Sequence, residues 1–366
     1  MALLLSENDV RVVLSMDDLI LAMETALDQF SAGAVRQPLR NIVEVSEHHA
    51  FYGVMPAYMP QPAALGTKLV SVYHTNAERG LPSHLATIVL HDPETGALLA
   101  ILDGRYITEA RTAAVSAASA KHLARNDAGV LAVLGAGVQA RSHIDALTRV
   151  RAFSEIRVWG RHEGRVRALL QSVPSHVRAT VVASPTAEAA ADGADVIALV
   201  TASREPVLTR PMVRPGAHIC AVGACRPDQR EMDTALVRDA RVFVDSRTGA
   251  LAEAGDLVIP IREGAVDASH IADEVRRNKE TRAFTRQFFE KAGYTVHSAE
   301  ANFLMVDVRR DAKAFKAECI KHNVAIGRSF PAVPNYARVS IGTMAEMTKA
   351  IPVFRSVLAT QVSSSH

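Results

Sequence analysis

Three cationic side chains stand out in the first third of the chain, Arg40, Lys68 and Arg111, and either arginine could clamp a carboxylate. A guanidinium clamps a carboxylate through two parallel hydrogen bonds. Lys68 stands mid-run in Thr67-Lys68-Leu69-Val70, where an ammonium is costly without a partner or a task. Strand alternation leaves open which face it takes. Arg111-Thr112 is read just ahead of an Ala-rich bridging helix, and among the histidines only Pro82-Ser83-His84 has a distinctive setting. A second group follows an apolar run: Gly135-Ala136-Gly137-Val138-Gln139-Ala140, a Gly-x-Gly-x-x-Ala dinucleotide fingerprint. Gly135 permits the tight turn, Gly137 lets the backbone approach a pyrophosphate, and Ala140 lets the helix pack on the sheet. The next strand ends Trp159-Gly160-Arg161-His162, with Arg165 close behind and no carboxylate at its tip. A guanidinium there suits a 2′-phosphate, so NADP(H) is expected ahead of NAD(H). Neither His48-His49 nor Cys220 with Cys225 has a zinc spacing, so no metal is expected.

These groups need elements to hold them. Ser15 followed by Asp18 caps a helix whose face runs through Leu19, Ile20, Met23, Leu27 and Phe30, with Gly33 closing it. Ile42–Val45, Thr67–Tyr73 and Ala86–Leu90 are β-rich runs, and Asp92-Pro93-Glu94-Thr95-Gly96 is a turn. A mostly antiparallel sheet is expected here. Thr108–Leu123 is a bridging helix. From Gly129 the text alternates strand and helix: Val130–Leu134, Ile156–Trp159, Asp195–Val200, His218–Val222 and Arg241–Asp245 are read as strands. Their alternation with helices predicts a doubly wound α/β Rossmann domain.

The composition is that of a globular chain, with 48% hydrophobic and 22% charged residues. Three cysteines cannot build a disulfide framework and suit a reducing, cytoplasmic setting. The opening Met1-Ala-Leu-Leu-Leu has no basic leader, which argues against a signal peptide, and no run is long enough for a spanning helix. The net charge of +2 is a cancellation. Residues 275–366 hold 15 Lys+Arg against 7 Asp+Glu, and residues 1–274 hold 26 against 32, giving +8 and −6. The basic residues of the tail are dispersed, so neither nucleic acid nor membrane is expected as a partner.

Residues 1 to about 274 resemble the ornithine cyclodeaminase/mu-crystallin family, and its ketimine reductase branch most. The shared text is Gly53-Val54-Met55-Pro56-Ala57-Tyr58, Thr67-Lys68-Leu69-Val70, Pro82-Ser83-His84, Arg111-Thr112-Ala113-Ala114-Val115-Ser116-Ala117, Leu134 to Ala140, Pro215-Gly216-Ala217-His218-Ile219, Arg226-Pro227-Asp228 and Val244-Asp245-Ser246-Arg247. The resemblance implies a homodimer with an α+β substrate and dimerisation domain over residues 1–118 and an NAD(P) domain over 119–274. It implies that Arg40, Lys68 and Arg111 hold a small imino or amino acid. With the fingerprint, it gives a cofactor set of Ser83, Arg111, Thr112, Gly135, Gly137, Val138, Gln139, Arg161, Thr201 and Val222. Cyclodeaminases of this family carry an Asp where Cys225 stands. NAD(P)H-dependent reduction of a cyclic ketimine is therefore expected, with Lys68 supporting the imine nitrogen. Asp228 is the alternative acid that keeps ornithine cyclodeaminase activity in play. Alanine-dehydrogenase-type activity and a non-catalytic, NADPH-binding role are the other readings.

The remaining residues, 275–366, do not continue that family's text, and no Phe-Lys-Ser closing motif occurs. Phe288-Phe289-Glu290-Lys291-Ala292-Gly293-Tyr294, Ser298 to Phe303 and Arg338-Val339-Ser340-Ile341-Gly342-Thr343 resemble the C-terminal small domain of histidinol-phosphate-aminotransferase-like enzymes. That resemblance implies a carboxylate-binding Arg338. No lysine has Ser three residues before it, so no PLP is expected. Helices over Thr281–Gly293, Asp311–Asn323 and Met344–Leu358, with strands within Thr295–Asp307 and at Arg338–Ile341, predict a small α+β unit.

Overall fold

The computed structural model describes residues 2–272, 274–298, 303–327 and 329–359. The chain divides into two compact units, Met1–Ile271 and Ala272–His366.

The first unit begins with β1 (Leu3–Leu5), α1 (Glu7–Val13) and α2 (Met16–Ser31). Ser15 caps α2 by accepting the Asp18 N–H at 3.1 Å. Then come β2 (Asn41–Val45), β3 (Ala50–Pro60), β4 (Ala63–Tyr73), β5 (His84–His91) and β6 (Leu98–Asp103). They form a six-stranded sheet in the order β1-β6-β5-β4-β3-β2, antiparallel except where β1 lies parallel to β6. Neither β1 nor β3 was read from the sequence. β3 contains Pro56 and Gly53, residues that sequence reading takes as breaks.

Next comes α3 (Arg105–Leu123). Its alanines let neighbours approach closely: Ala113, Ala114, Ala117 and Ala120 have no exposed surface. Ala113, Ala114 and Ala117 pack with Met16, Leu19 and Ile20 of α2, and Ala120 joins the core under the parallel sheet. Arg111 lies inside this helix, not ahead of it.

The Rossmann half contains β7 (Val130–Leu134), α4 (Val138–Val150), β8 (Glu155–Trp159), α5 (Glu163–Gln171), β9 (Thr180–Ala183), α6 (Ala187–Ala191), β10 (Val196–Leu199) and β11 (His218–Ala221). The helices α7 (Thr234–Asp239), α8 (Arg247–Glu253) and α9 (Gly255–Arg262) follow. The sheet order is β11-β10-β7-β8-β9, all parallel. Strand order reverses between β7 and β10, the crevice where open α/β sheets bind ligands. One strand is corrected: Arg241–Asp245 is not in the sheet, and Val242 makes a single bridge to Ile271. The fifth strand is β9, a four-residue edge strand too short to stand out in the text.

The second unit has its own core. It comprises α10 (Glu274–Lys291), β12 (Val296–Ser298), β13 (Phe303–Asp307), α11 (Ala312–Lys321), β14 (Tyr336–Ser340) and α12 (Met344–Ala359). The three strands form an antiparallel sheet in the order β12-β13-β14. Phe289, Phe315 and Phe354 are fully buried beneath it. The tail is thus a folded α+β unit, as the periodicity predicts. Of the text that carries the aminotransferase resemblance, residues 299–302 lie outside the described residues.

Candidate active site

Lys68 sits on β4 opposite Met55 of β3 and Ile88 of β5. Alternation puts it on the same face as Val70, which is 6% exposed. The ammonium is therefore on the covered face, which the sequence left open. Gly104, at the start of α3, lies over this face, where a Cβ would stand 3.1 Å from that of Ala86. Arg111 follows two turns later in α3. Arg40 leads into β2 and reaches Glu253 at the end of α8, its Nε donating to Oε1 at 2.7 Å. A second guanidinium nitrogen meets the other carboxylate oxygen.

The electrostatics show that these three cations share one neighbourhood. Burial first, then Arg111 and Arg40, push the Lys68 ammonium down to about 8. Burial also holds the Arg111 guanidinium below its ordinary range. Asp245 opposes that shift, Arg40 adds to it, and Cys225 opposes it. His84, at the start of β5, is lowered by burial, then by Lys68, Arg111 and Arg105. Three clustered cations with their anionic partners on other elements make a site for a small carboxylate.

Glu253, the partner of Arg40, lies two residues before Gly255, whose N–H donates to the Ala224 carbonyl at 3.2 Å, three residues beyond β11, so the cationic group reaches the carboxyl edge of the parallel sheet. The fingerprint occupies the same edge. Gly135 has φ +132°, and a Cβ there would fall 2.7 Å from the Val200 carbonyl oxygen, so only glycine fits. A Cβ on Gly137 would meet nothing within 4 Å, and no side chain caps the first turn of α4. The N–H groups of that turn are available to an anion. Gln139 Oε1 is buried without a hydrogen-bond partner. An open glycine, an uncapped helix start and an orphaned amide oxygen together fit a dinucleotide.

A family model matches residues 1–292. The chain belongs to the ornithine cyclodeaminase/mu-crystallin family. Ketimine reductase mu-crystallin of Rattus norvegicus is 42% identical over 307 residues, covering 83% of this chain and 96% of that protein. The structure of Thermococcus litoralis Δ1-pyrroline-2-carboxylate reductase in complex with NADH and L-proline is 38% identical with a TM-score of 0.71. It covers 74% of this chain and 83% of its own. An archaeal alanine dehydrogenase dimer with bound NAD is 29% identical with a TM-score of 0.69, covering 74% of this chain and 82% of its own.

For a member of this family the remaining expected residues fall in five places. Val138 and Gln139 open α4. Thr201 and Val222 lie just past β10 and β11, and the Val222 N–H donates to the Leu199 carbonyl at 3.0 Å. Ser83 is exposed in the turn before β5. Thr112, on α3, donates its hydroxyl to the Thr108 carbonyl at 2.7 Å. Arg161 is exposed beyond the tip of β8. Asp228 is not among the groups acting on Lys68 or Arg111. Its carboxylate is paired with Arg226 at 3.2 Å and Arg204 at 3.3 Å. The carboxylates acting on the cations are Asp245 and Glu253, which sequence reading did not single out. Among the described residues no group of three His, Cys, Asp or Glu is placed to hold a metal, and no helix is long and apolar enough to cross a membrane.

Proposed function

We propose that this family member reduces a small cyclic ketimine, such as Δ1-pyrroline-2-carboxylate, to the corresponding L-amino acid with NAD(P)H. The observation that carries this reading is the placing of Arg40, Lys68 and Arg111 together at the carboxyl edge that bears the fingerprint. Arg111 and Arg40 hold the carboxylate. Arg40 exchanges Glu253 for the substrate to do so. Lys68, protonated below about 8, donates a proton to the imine nitrogen. Gly135, Gly137, Val138, Gln139, Thr201 and Val222 line the dinucleotide's path, with Ser83 and Thr112 at its border. Reduced nicotinamide, when bound, supplies the hydrogen and electron pair that the imine carbon takes up. The exposed Arg161 favours NADP(H), while the structural relatives named above hold NADH and NAD.

Residues 1–118 are read as the substrate and dimerisation domain, and 119–274 as the dinucleotide domain, in a homodimer. The second unit is read as separate in descent, akin to an aminotransferase small domain. In support, the second unit has a hydrophobic core of its own, while the family match runs on into α10, to residue 292. Without the Phe-Lys-Ser segment, turnover is expected below that of relatives that carry it.

Fluorescence titration with NADPH and NADH tests the cofactor claim, with NADPH the tighter; absence of binding at millimolar cofactor overturns it. Oxidation of NADPH is then followed with cyclic imino acids and with pyruvate plus ammonia. Lys68→Ala should lower kcat/KM for the imine by about 10²–10⁴-fold. Dinucleotide binding without turnover of any imine would instead make the protein a small-ligand binder.

A further inference from the structure

Glu231 has no exposed surface, yet no helix or strand holds it, and it lies in the loop before α7. Its two oxygens are committed to two different strand ends. Oε1 accepts the Thr201 N–H at 2.6 Å, just past β10, and Oε2 accepts the Gly223 N–H at 2.7 Å, just past β11. The residue's own backbone is fixed as firmly. Its N–H donates to Asp256 of α9 at 2.7 Å, and its carbonyl accepts from Val207 and Leu208 at 2.8 and 2.9 Å. A side chain on Gly223 would collide with the Thr201 carbonyl oxygen and with the Glu231 carboxylate. The glycine is the space into which the carboxylate fits.

This brace lies against the fingerprint. Val200, next to Thr201, is the residue whose carbonyl closes on Gly135, and its N–H donates to the Leu134 carbonyl at 3.0 Å. Moving Thr201 would therefore move the wall of the dinucleotide turn. Gly223 precedes Ala224, whose carbonyl accepts the Gly255 N–H at 3.2 Å, two residues past Glu253, the partner of Arg40. One carboxylate thus spans the cofactor side and the substrate side of the sheet edge.

We infer that Glu231 is a positioning residue: by bridging the Thr201 and Gly223 amides it sets the spacing between the dinucleotide wall and the substrate cations. The inference rests on the dinucleotide reading above. Burial pushes the Glu231 carboxyl up to about 7, with Asp256 adding to the rise and the Thr201 and Gly223 hydrogen bonds opposing it. Arg230 is the cation that acts on Asp256 in turn. The folded state thus binds a proton more tightly at Glu231 than the unfolded chain does. Stability from this group falls as pH rises from about 4.5 through 7.

The test uses Glu231→Gln in the full chain. Gln removes the buried charge and keeps the shape, but it turns one acceptor into a donor facing an N–H group. Its Tm at pH 8 should equal or exceed that of the wild type. NADPH should bind about tenfold more weakly, as for one lost hydrogen bond to a charged group. Amide hydrogen exchange should quicken in peptides covering Thr201 and Gly223. Cofactor affinity and exchange both unchanged would overturn the inference, as would weaker binding explained by a fall in Tm. A wild type that binds dinucleotide but reduces no imine overturns the proposed function alone, because the binding and exchange comparison still stands. A wild type that binds neither NADPH nor NADH overturns both.

Discussion

Lys68 would ordinarily stay protonated well past pH 9, and an acid that weak transfers its proton poorly. Burial and two guanidinium neighbours lower it to about 8, closer to the pH at which it works. The shift has a sign that can be measured. The donor is the protonated form, so kcat/KM for a cyclic imine should be level below pH 8 and fall about tenfold per unit above it. Lys68→Arg keeps the charge but removes the titration, so its weak residual activity should lose the break. A wild-type profile level to pH 10 would remove Lys68 as the donor. Its candidacy was legible from sequence, because a cation in apolar text is conspicuous. Glu231 was not: between Arg230 and Met232 it reads as loop surface. Its burial comes from contacts with residues 30 and 8 positions away, which no local pattern encodes.

The dinucleotide turn depends on elements closing upon one another. β7 delivers Gly135 against Val200 of the neighbouring strand end, and the left-handed φ of +132° leaves no room for a Cβ. Gly135→Ala should therefore cost about 1–3 kcal/mol of stability in chemical denaturation. NADPH affinity should drop at least tenfold in fluorescence titration. Equal affinity in a stable variant would show that the turn is not part of the cofactor site. The strand–turn–helix context makes this element readable in the sequence. The edges of both sheets were harder. β9 is four residues long and β1 three, and Arg241–Asp245 has the alternation of a strand but makes a single β-bridge, from Val242 to Ile271. Pairing is decided by distant chain, so a short edge strand and an extended loop look alike in sequence.

At the scale of the whole molecule the six-stranded sheet has one face spoken for and one not. Lys68, Met55 and Ile88 share the face over which Gly104 and α3 begin. The row through Ser71, three residues further along β4, points the other way: Val43 pairs with Tyr52, Tyr52 with Ser71, and Ser71 with Leu85. Val43 is 57% exposed and Leu85 42%, on a sheet whose outer strand β2 has no neighbour beyond it among the described residues. Apolar side chains in a row on an open sheet mark an association surface, and closed two-fold pairing is the commonest way to cover one. The proposed homodimer should therefore use this face. Sedimentation should give about twice the 39.4 kDa chain mass, and Val43→Lys with Leu85→Lys should shift it towards one chain while leaving NADPH titration intact. A monomeric wild type at assay concentration would overturn the dimer. A double variant that stays dimeric would move the interface to another surface of the first unit.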